Sequence, residues 1–272
     1  MKELANFMSK ILRDASRGIL LEKIEYKLFQ PYTIIKKMNS SILLKSRRGG
    51  TLFKFPIENL DGKIGSEQES LLTDYIYSAN PMTELYLRPF FKMRKGVFVD
   101  VGAFVGKYTI DVALQSPHNR VLAIEPNPIS FSILMRNIKL NNVEKQVILV
   151  NEAVSDSRCK VAFKLSGSVS KIAEARSSEN IKTIEVNALP LFEILERHGI
   201  NTSDIRLIKI DVEGYEHVVL KQICGKANEL SGVRIICEIL PDDPQKESNL
   251  RQMATVGFRA RKIDENNYLF FK

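Results

Sequence analysis

Two carboxylates and two glycines, set at fixed intervals around a pair of apolar runs, are the residues of this chain best suited to hold a small polar ligand. Val97-Phe98-Val99 leads into Asp100-Val101-Gly102-Ala103-Phe104-Val105-Gly106, and Val121-Leu122-Ala123-Ile124 ends on Glu125. Short apolar runs of this kind read as strands buried on both faces, and the segment after Gly106 reads as a helix. In open α/β sheets the ligand crevice lies beyond the carboxyl ends of the strands. There Gly102 and Gly106 let the backbone turn tightly and come within contact distance of a ligand. Asp100 can meet a cation or a donor, and Glu125, nineteen residues after Gly106, can accept hydrogen bonds from both hydroxyls of a ribose.

Strand, turn, helix, strand and acid in this order imply an adenosine-containing ligand. A nicotinamide dinucleotide would call for G-x-G-x-x-G, whose middle glycine and helix N-terminus hold a pyrophosphate. Phe104 stands where that glycine belongs. An acid followed by a G-x-x-x-G turn suits a ligand that has no phosphate and carries an amine and a sulfonium, which is S-adenosylmethionine.

A second group of carboxylates follows Leu207-Ile208-Lys209-Ile210, in Asp211-Val212-Glu213-Gly214-Tyr215-Glu216. Asp211 and Glu213 face the same crevice from the other side. They are positioned to orient or deprotonate a substrate hydroxyl, or to hold a divalent metal through oxygen ligands. The plainer reading is that Glu213 and Glu216 place favourable charge at the start of the next helix. His217 adjoins this group and reads first as a helix residue, with a role as base the sharper alternative. His198, beside Gly199, complements a helix C-terminus.

The elements that must carry these residues alternate from Gly96 onward. Strands are expected at 97–101, 121–125, 147–150, 207–211 and 233–240, and helices after Gly106, at 128–140, at 191–198 and at 244–256. Two β-like runs, 160–165 and 181–187, interrupt the alternation. Phe258 to Ile263 and Tyr268 to Phe271, separated by Asp264-Glu265-Asn266-Asn267, form a terminal hairpin expected to add antiparallel strands to one sheet edge. Before residue 84 the chain reads as a mixed α and β leader. It comprises one or two amphipathic helices over 3–29, a hairpin around Arg48-Gly49-Gly50, and a helix opened by the capping box Ser66 and Glu69. We therefore expect an N-terminal region at 1–83 and a doubly wound α/β domain at 84–272.

In three places the sequence resembles the FkbM-type methyltransferases. These are Val99-Asp100-Val101-Gly102-Ala103 with Gly106, Glu125-Pro126-Asn127-Pro128 with Asn137 and Leu140-Asn141, and Ile208-Lys209-Ile210-Asp211-Val212-Glu213-Gly214-Tyr215-Glu216. The resemblance covers about 84–240, and the last motif is the most specific. It implies a Rossmann-like, seven-stranded sheet with a reversed final strand, and methylation of a hydroxyl on a sugar, lipid-linked or other small molecule. It assigns cofactor contacts to Asp100, Gly102, Ala103, Gly106 and Glu125, adds Glu152 and Ala153 as adenine contacts, and leaves Asp211 and Glu213 as the catalytic pair. One departure is that Gln222 stands near where the family often carries a glycine.

The 272-residue chain has a formal charge of +8. Much of that lies between Gln30 and Ile57, which hold Lys36, Lys37, Lys45, Arg47, Arg48 and Lys54 and no acid. Such a stretch can attract nucleic acid, and an RNA methyltransferase is the competing enzyme reading. The Asp-Val-Glu-Gly motif in place of an Asn-Pro-Pro-Tyr type weighs against methylation of base nitrogens, so a small-molecule or glycan acceptor is expected rather than nucleic acid. A non-enzymatic scaffold is disfavoured because the carboxylates and glycines are intact. The amphipathic leader leaves peripheral membrane contact or a homo-oligomer open. Cys159, Cys224 and Cys237 are too scattered for a disulfide framework or a close-spaced metal site, no run suits a bilayer span or a signal peptide, and a cytoplasmic protein is expected.

Overall fold

A computed structural model describes the backbone of residues 32–38, 41–46 and 52–56, and residues 96–115, 117–164, 171–172 and 183–272. The helices expected over 3–29 and after Ser66 lie outside the described residues. Strands β1 (Tyr32–Met38), β2 (Ser41–Ser46) and β3 (Leu52–Pro56) form an antiparallel meander. The expected hairpin is its β2–β3 half, and β1 extends it with a bulge between Ile34 and Lys36.

The principal sheet has seven strands in the order β13 (Arg259–Lys262), β14 (Asn267–Phe271), β12 (Arg234–Glu238), β11 (Ile205–Ile210), β4 (Gly96–Val101), β5 (Asn119–Ile124) and β6 (Val147–Val150). Its first three members in sequence are β4, β5 and β6. Across the other side lie β11 and β12, parallel to β4. Strand order reverses between β4 and β11, because β5 and β6 extend one way and β12 the other. That reversal opens a crevice between the carboxyl ends of β4 and β11.

Helices α1 (Lys107–Gln115) and α2 (Pro128–Leu140) cover one face, where Ile110, Leu134 and Ile138 pack against Phe98, Val121 and Ala123. Helices α3 (Leu191–Arg197) and α4 (Glu216–Gly225) cover the other, with Ile194, Leu220 and Ile223 against Val99, Leu122 and Ile208. Helix α2 starts where local chemistry sets it, with Pro128 in the first turn and the Asn127 side chain accepting from the Ile129 N–H at 3.0 Å. Among the described residues no helix is long and apolar enough to cross a membrane.

Helix α5 (Lys246–Thr255) precedes the terminal hairpin of β13 (Arg259–Lys262) and β14 (Asn267–Phe271). The expected terminal hairpin and reversed final strand are both present at the edge. Only β14 is reversed, since it pairs antiparallel with both β12 and β13, and β13 therefore runs with the rest. The two interrupting runs leave the main sheet. β8 (Cys159–Lys164) and β10 (Thr183–Leu189) pair antiparallel in a separate four-stranded sheet with β7 (Ala153–Val154) and β9 (Lys171–Ile172).

Candidate active site

The glycine turn closes onto the neighbouring strands at the crevice. The N–H groups of Gly102 and Ala103 both donate to the Ile124 carbonyl at 3.0 Å, and the Asp211 N–H donates to the Val101 carbonyl at 3.1 Å. Gly102 has φ +82°, and a Cβ there would stand 1.8 Å from the carbonyl oxygen of Asp211. The sequence places a ligand within contact distance of this turn; in the direction a Cβ would take, the protein's own backbone stands instead. Gly106, at φ +96°, is likewise constrained by packing, because its Cβ would meet Leu134 Cδ1 at 2.6 Å.

Asp100 lies within β4, fully buried, on the face that α1 covers. Its Oδ2 accepts from Thr109 Oγ1 at 2.7 Å, and Lys209 Nζ stands 3.8 Å from Oδ1, which has no hydrogen-bond partner within the described residues. Burial raises the Asp100 carboxyl above its ordinary range, against the pull of Lys209 and Thr109. The cation that Asp100 faces is thus supplied by the chain itself.

Glu125 follows β5 and is 6% exposed. Its Oε2 accepts the Phe104 N–H and its Oε1 the Asn127 N–H, both at 2.8 Å. The carboxylate therefore fastens the glycine turn to the start of α2, and Phe104 is held at φ +51°, a strained value for a bulky residue. Burial pushes the carboxyl up to about 7 despite those two donors. Each oxygen keeps a lone pair beyond the one its N–H uses.

Facing the turn, three carboxylates gather at the ends of β11 and β12. Asp211, Glu213 and Glu238 each offer an oxygen within 4.8 Å of the others. Glu238, which ends β12, was not singled out in the sequence. Its carboxyl rises to about 8, first through burial and then through the charges of Asp211 and Glu213 and a hydrogen bond with Asp211. Lys209, also missed, is 6% exposed and donates to Asp211 Oδ2 at 2.9 Å and to the Gly102 carbonyl at 3.1 Å. Burial alone would lower its ammonium, but the Asp211 and Asp100 carboxylates more than reverse that and raise it above the ordinary lysine range.

A divalent metal is held by several ionised oxygens. Asp211, Glu213 and Glu238 offer three carboxyl oxygens, and the Lys209 ammonium already takes up one Asp211 oxygen. Lys209 already supplies positive charge there.

The remaining candidates divide. Ala153 is buried in β7, and the Glu152 carboxylate pairs with Arg197 of α3. Glu213 sits at φ +55° in the loop after β11. Glu216, rather than Glu213, fastens that loop, accepting from the N–H groups of Val212 at 3.0 Å and Gly214 at 3.0 Å. His217 lies in the first turn of α4 with its ring tilted against Tyr215, and His198 caps the end of α3. Gln222 accepts the Leu191 N–H at 2.7 Å and donates to the Ser155 carbonyl at 2.9 Å, so it joins α4 to the start of α3. A glycine there could make neither bond.

Residues 100–268 match the family described as Methyltransferase FkbM domain. Curated relatives include "Methyltransferase 1" of Beauveria bassiana (strain ARSEF 2860), 28% identical over 142 residues, which are 45% of this chain and 56% of that protein. Another is "Methyltransferase sdnD" of Sordaria araneosa, 25% identical over 148 residues, 53% of this chain and 51% of that protein. The chain spans about half the length of these relatives. Among solved structures, M. jannaschii TYW2 in complex with AdoMet aligns at 17% identity and a TM-score of 0.42, over 88% of this chain and 87% of that one. The precorrin-6y C5,15-methyltransferase of Geobacter metallireducens aligns at 13% and 0.41, over 68% and 83%. Likenesses this loose do not bear on function.

Proposed function

Because the chain belongs to the FkbM methyltransferase family, we propose that it is an S-adenosylmethionine-dependent O-methyltransferase acting on a sugar, lipid-linked or other small-molecule hydroxyl. The observation that carries this reading is the meeting of the Gly102 turn, Glu125 and the Asp211 carboxylate at the one place where the strand order reverses. When bound, the cofactor supplies a methyl group on a sulfonium.

The residues fit that cofactor. Glu125 has a lone pair on each oxygen left to accept the ribose hydroxyls. Asp100 Oδ1, 3.8 Å from Lys209 Nζ and without a hydrogen bond among the described residues, is a buried acceptor beside the turn. Glu152 and Ala153, two and three residues beyond the end of β6, are assigned to the adenine edge. Asp211 takes the proton of the acceptor hydroxyl and Glu213 orients it, while the crevice holds that hydroxyl in line with the methyl group. Alignment supplies much of the acceleration, and removal of the proton prevents charge from building on the product oxygen. Residues 84–272 form the catalytic unit on this reading, with 1–83 as the N-terminal region before it.

Calorimetry of the purified chain tests the cofactor assignment first. S-adenosylhomocysteine should bind in the micromolar range and NAD far more weakly. A screen of sugar and lipid-linked hydroxyls, read by release of S-adenosylhomocysteine, then identifies the acceptor. Tight binding of NAD with none of S-adenosylhomocysteine would overturn the reading.

A further inference from the structure

A lysine in the middle of a strand buried on both faces is costly unless its ammonium is fully paired. Lys209 is such a residue. It lies in β11 between Ile208 and Ile210, both fully buried, and its register partner on β4 is Asp100. Leu207 and Lys209 share the sheet face that packs beneath α1, and Tyr108 of α1 closes over the ammonium with its ring centroid 5.3 Å from Nζ.

The ammonium has more than a counter-ion's geometry. One hydrogen bond reaches the Asp211 carboxylate at 2.9 Å, and a second reaches the Gly102 carbonyl at 3.1 Å, in a residue 107 positions earlier in the chain. These partners belong to different parts of the site: Asp211 to the side facing the acceptor, and Gly102 to the turn facing the cofactor. The carboxylates of Asp100 on β4, Asp211 beyond β11 and Glu238 on β12 all act on Nζ, together with the Tyr108 ring from α1.

Resting on the methyltransferase reading above, we propose that Lys209 is a positioning residue whose buried ammonium locks the Asp211 carboxylate to the Gly102 carbonyl of the cofactor turn. The three donors of an ammonium suit this role, since one centre serves both partners at once. The lock makes the two halves of the site answer to each other. Loss of the carboxylate removes one of the two hydrogen bonds of the ammonium, and occupation of the turn shifts it.

The full chain labelled with 15N at lysine Nζ reports this directly. A buried, hydrogen-bonded ammonium exchanges slowly enough to give a cross-peak, assigned by its loss in Lys209→Arg. We expect that peak to lose its protection in Asp211→Asn and to move when S-adenosylhomocysteine saturates the wild-type protein. Folded Lys209→Met should bind S-adenosylhomocysteine about tenfold more weakly. Should that variant fail to fold, Asp100→Asn/Lys209→Met, which removes ion and counter-ion together, is compared with Asp100→Asn alone, so that any loss owed to Asp100 as a cofactor contact cancels.

A peak indifferent to Asp211→Asn would overturn the lock. A peak that responds to Asp211→Asn but not to bound S-adenosylhomocysteine would also overturn it, reducing Lys209 to a structural counter-ion. Failure of the methyltransferase reading looks different. In that case calorimetry shows no binding to the wild-type chain, while the response to Asp211→Asn persists.

Discussion

Replacing Glu125 by glutamine separates two forces that the wild-type residue balances. Each carboxylate oxygen accepts one backbone N–H at 2.8 Å, from Phe104 and from Asn127. An amide offers only one acceptor, so its NH2 group must face the other N–H donor to donor. One buried N–H then loses its partner, at about 1–3 kcal/mol. The opposing force is the burial of charge. The folded carboxyl keeps its proton to about 7 and the unfolded one only to about 4.5, a difference of roughly 3 kcal/mol. Between those values the folded state binds more protons than the unfolded state, so wild-type stability falls as pH rises and levels off above 7. Glutamine carries no such proton. Glu125→Gln is therefore expected to be less stable than wild type by about 2 kcal/mol near pH 4.5, and level with it or slightly above it near pH 8. Its affinity for S-adenosylhomocysteine at the higher pH should nevertheless fall about tenfold, because an acceptor for the ribose has become a donor. Urea unfolding followed by circular dichroism at both pH values reads the stability gap. A gap that stays constant across the range would refute the claim that buried charge and backbone hydrogen bonds oppose each other at this residue.

Gly102→Ala should destabilise the protein by at least ~3 kcal/mol in urea unfolding without any ligand present, since the new methyl collides with the Asp211 carbonyl in a strained backbone conformation. A loss under about 1 kcal/mol would show that β4 and β11 part easily. Asp211→Asn should leave the affinity for S-adenosylhomocysteine within a few-fold while turnover on the acceptor drops by about 100-fold. Full turnover in a folded variant would remove Asp211 from the chemistry and leave alignment alone. Chelator should change wild-type turnover by less than about two-fold, because the Lys209 ammonium already supplies positive charge beside Asp211. Activity that vanishes with chelator and returns with magnesium would mean that the carboxylates hold a metal after all.

What the sequence revealed was governed by short-range rules. The Asp100–Gly106 turn, the acid at the end of β5 and the limits of α2 each follow from neighbouring residues: an apolar run, a glycine, a proline after Asn127. Features set by distant residues were harder to see or were misread. Gly102 reads as a tight turn within contact of a ligand, and nothing near it in sequence reveals that Asp211 lies against it. Lys209 left a trace, an isolated cation within Leu-Ile-Lys-Ile, and alternation along a strand buried on both faces requires such a residue to find a counter-charge. Asp100 in the adjacent strand supplies it, and only strand order and register show that the two are opposite. Glu238 reads as part of the apolar run 233–240, since the like charges that raise its carboxyl come from Asp211 and Glu213, just beyond the neighbouring β11. Gln222 looked like a departure from the family and is instead a bridge between helices, visible only once α3 and α4 are adjacent. The terminal hairpin was legible, but its insertion was not. No local pattern says that the later strand lies inside the earlier one.

That insertion has a consequence for how the protein is made. Strand β12, which ends on Glu238, pairs with β14 at residues 267–271, whereas β13, synthesised earlier, can join the sheet only through β14. Until residues 267–271 have left the ribosome, β12 is therefore an open edge whose backbone groups can pair with any extended segment nearby. At 5–20 residues per second the exposure from Glu238 onward lasts a few seconds per molecule. Nascent chains stalled within that window carry the cofactor turn, Glu125 and Asp211, yet present the unfinished edge on which neighbouring copies can aggregate.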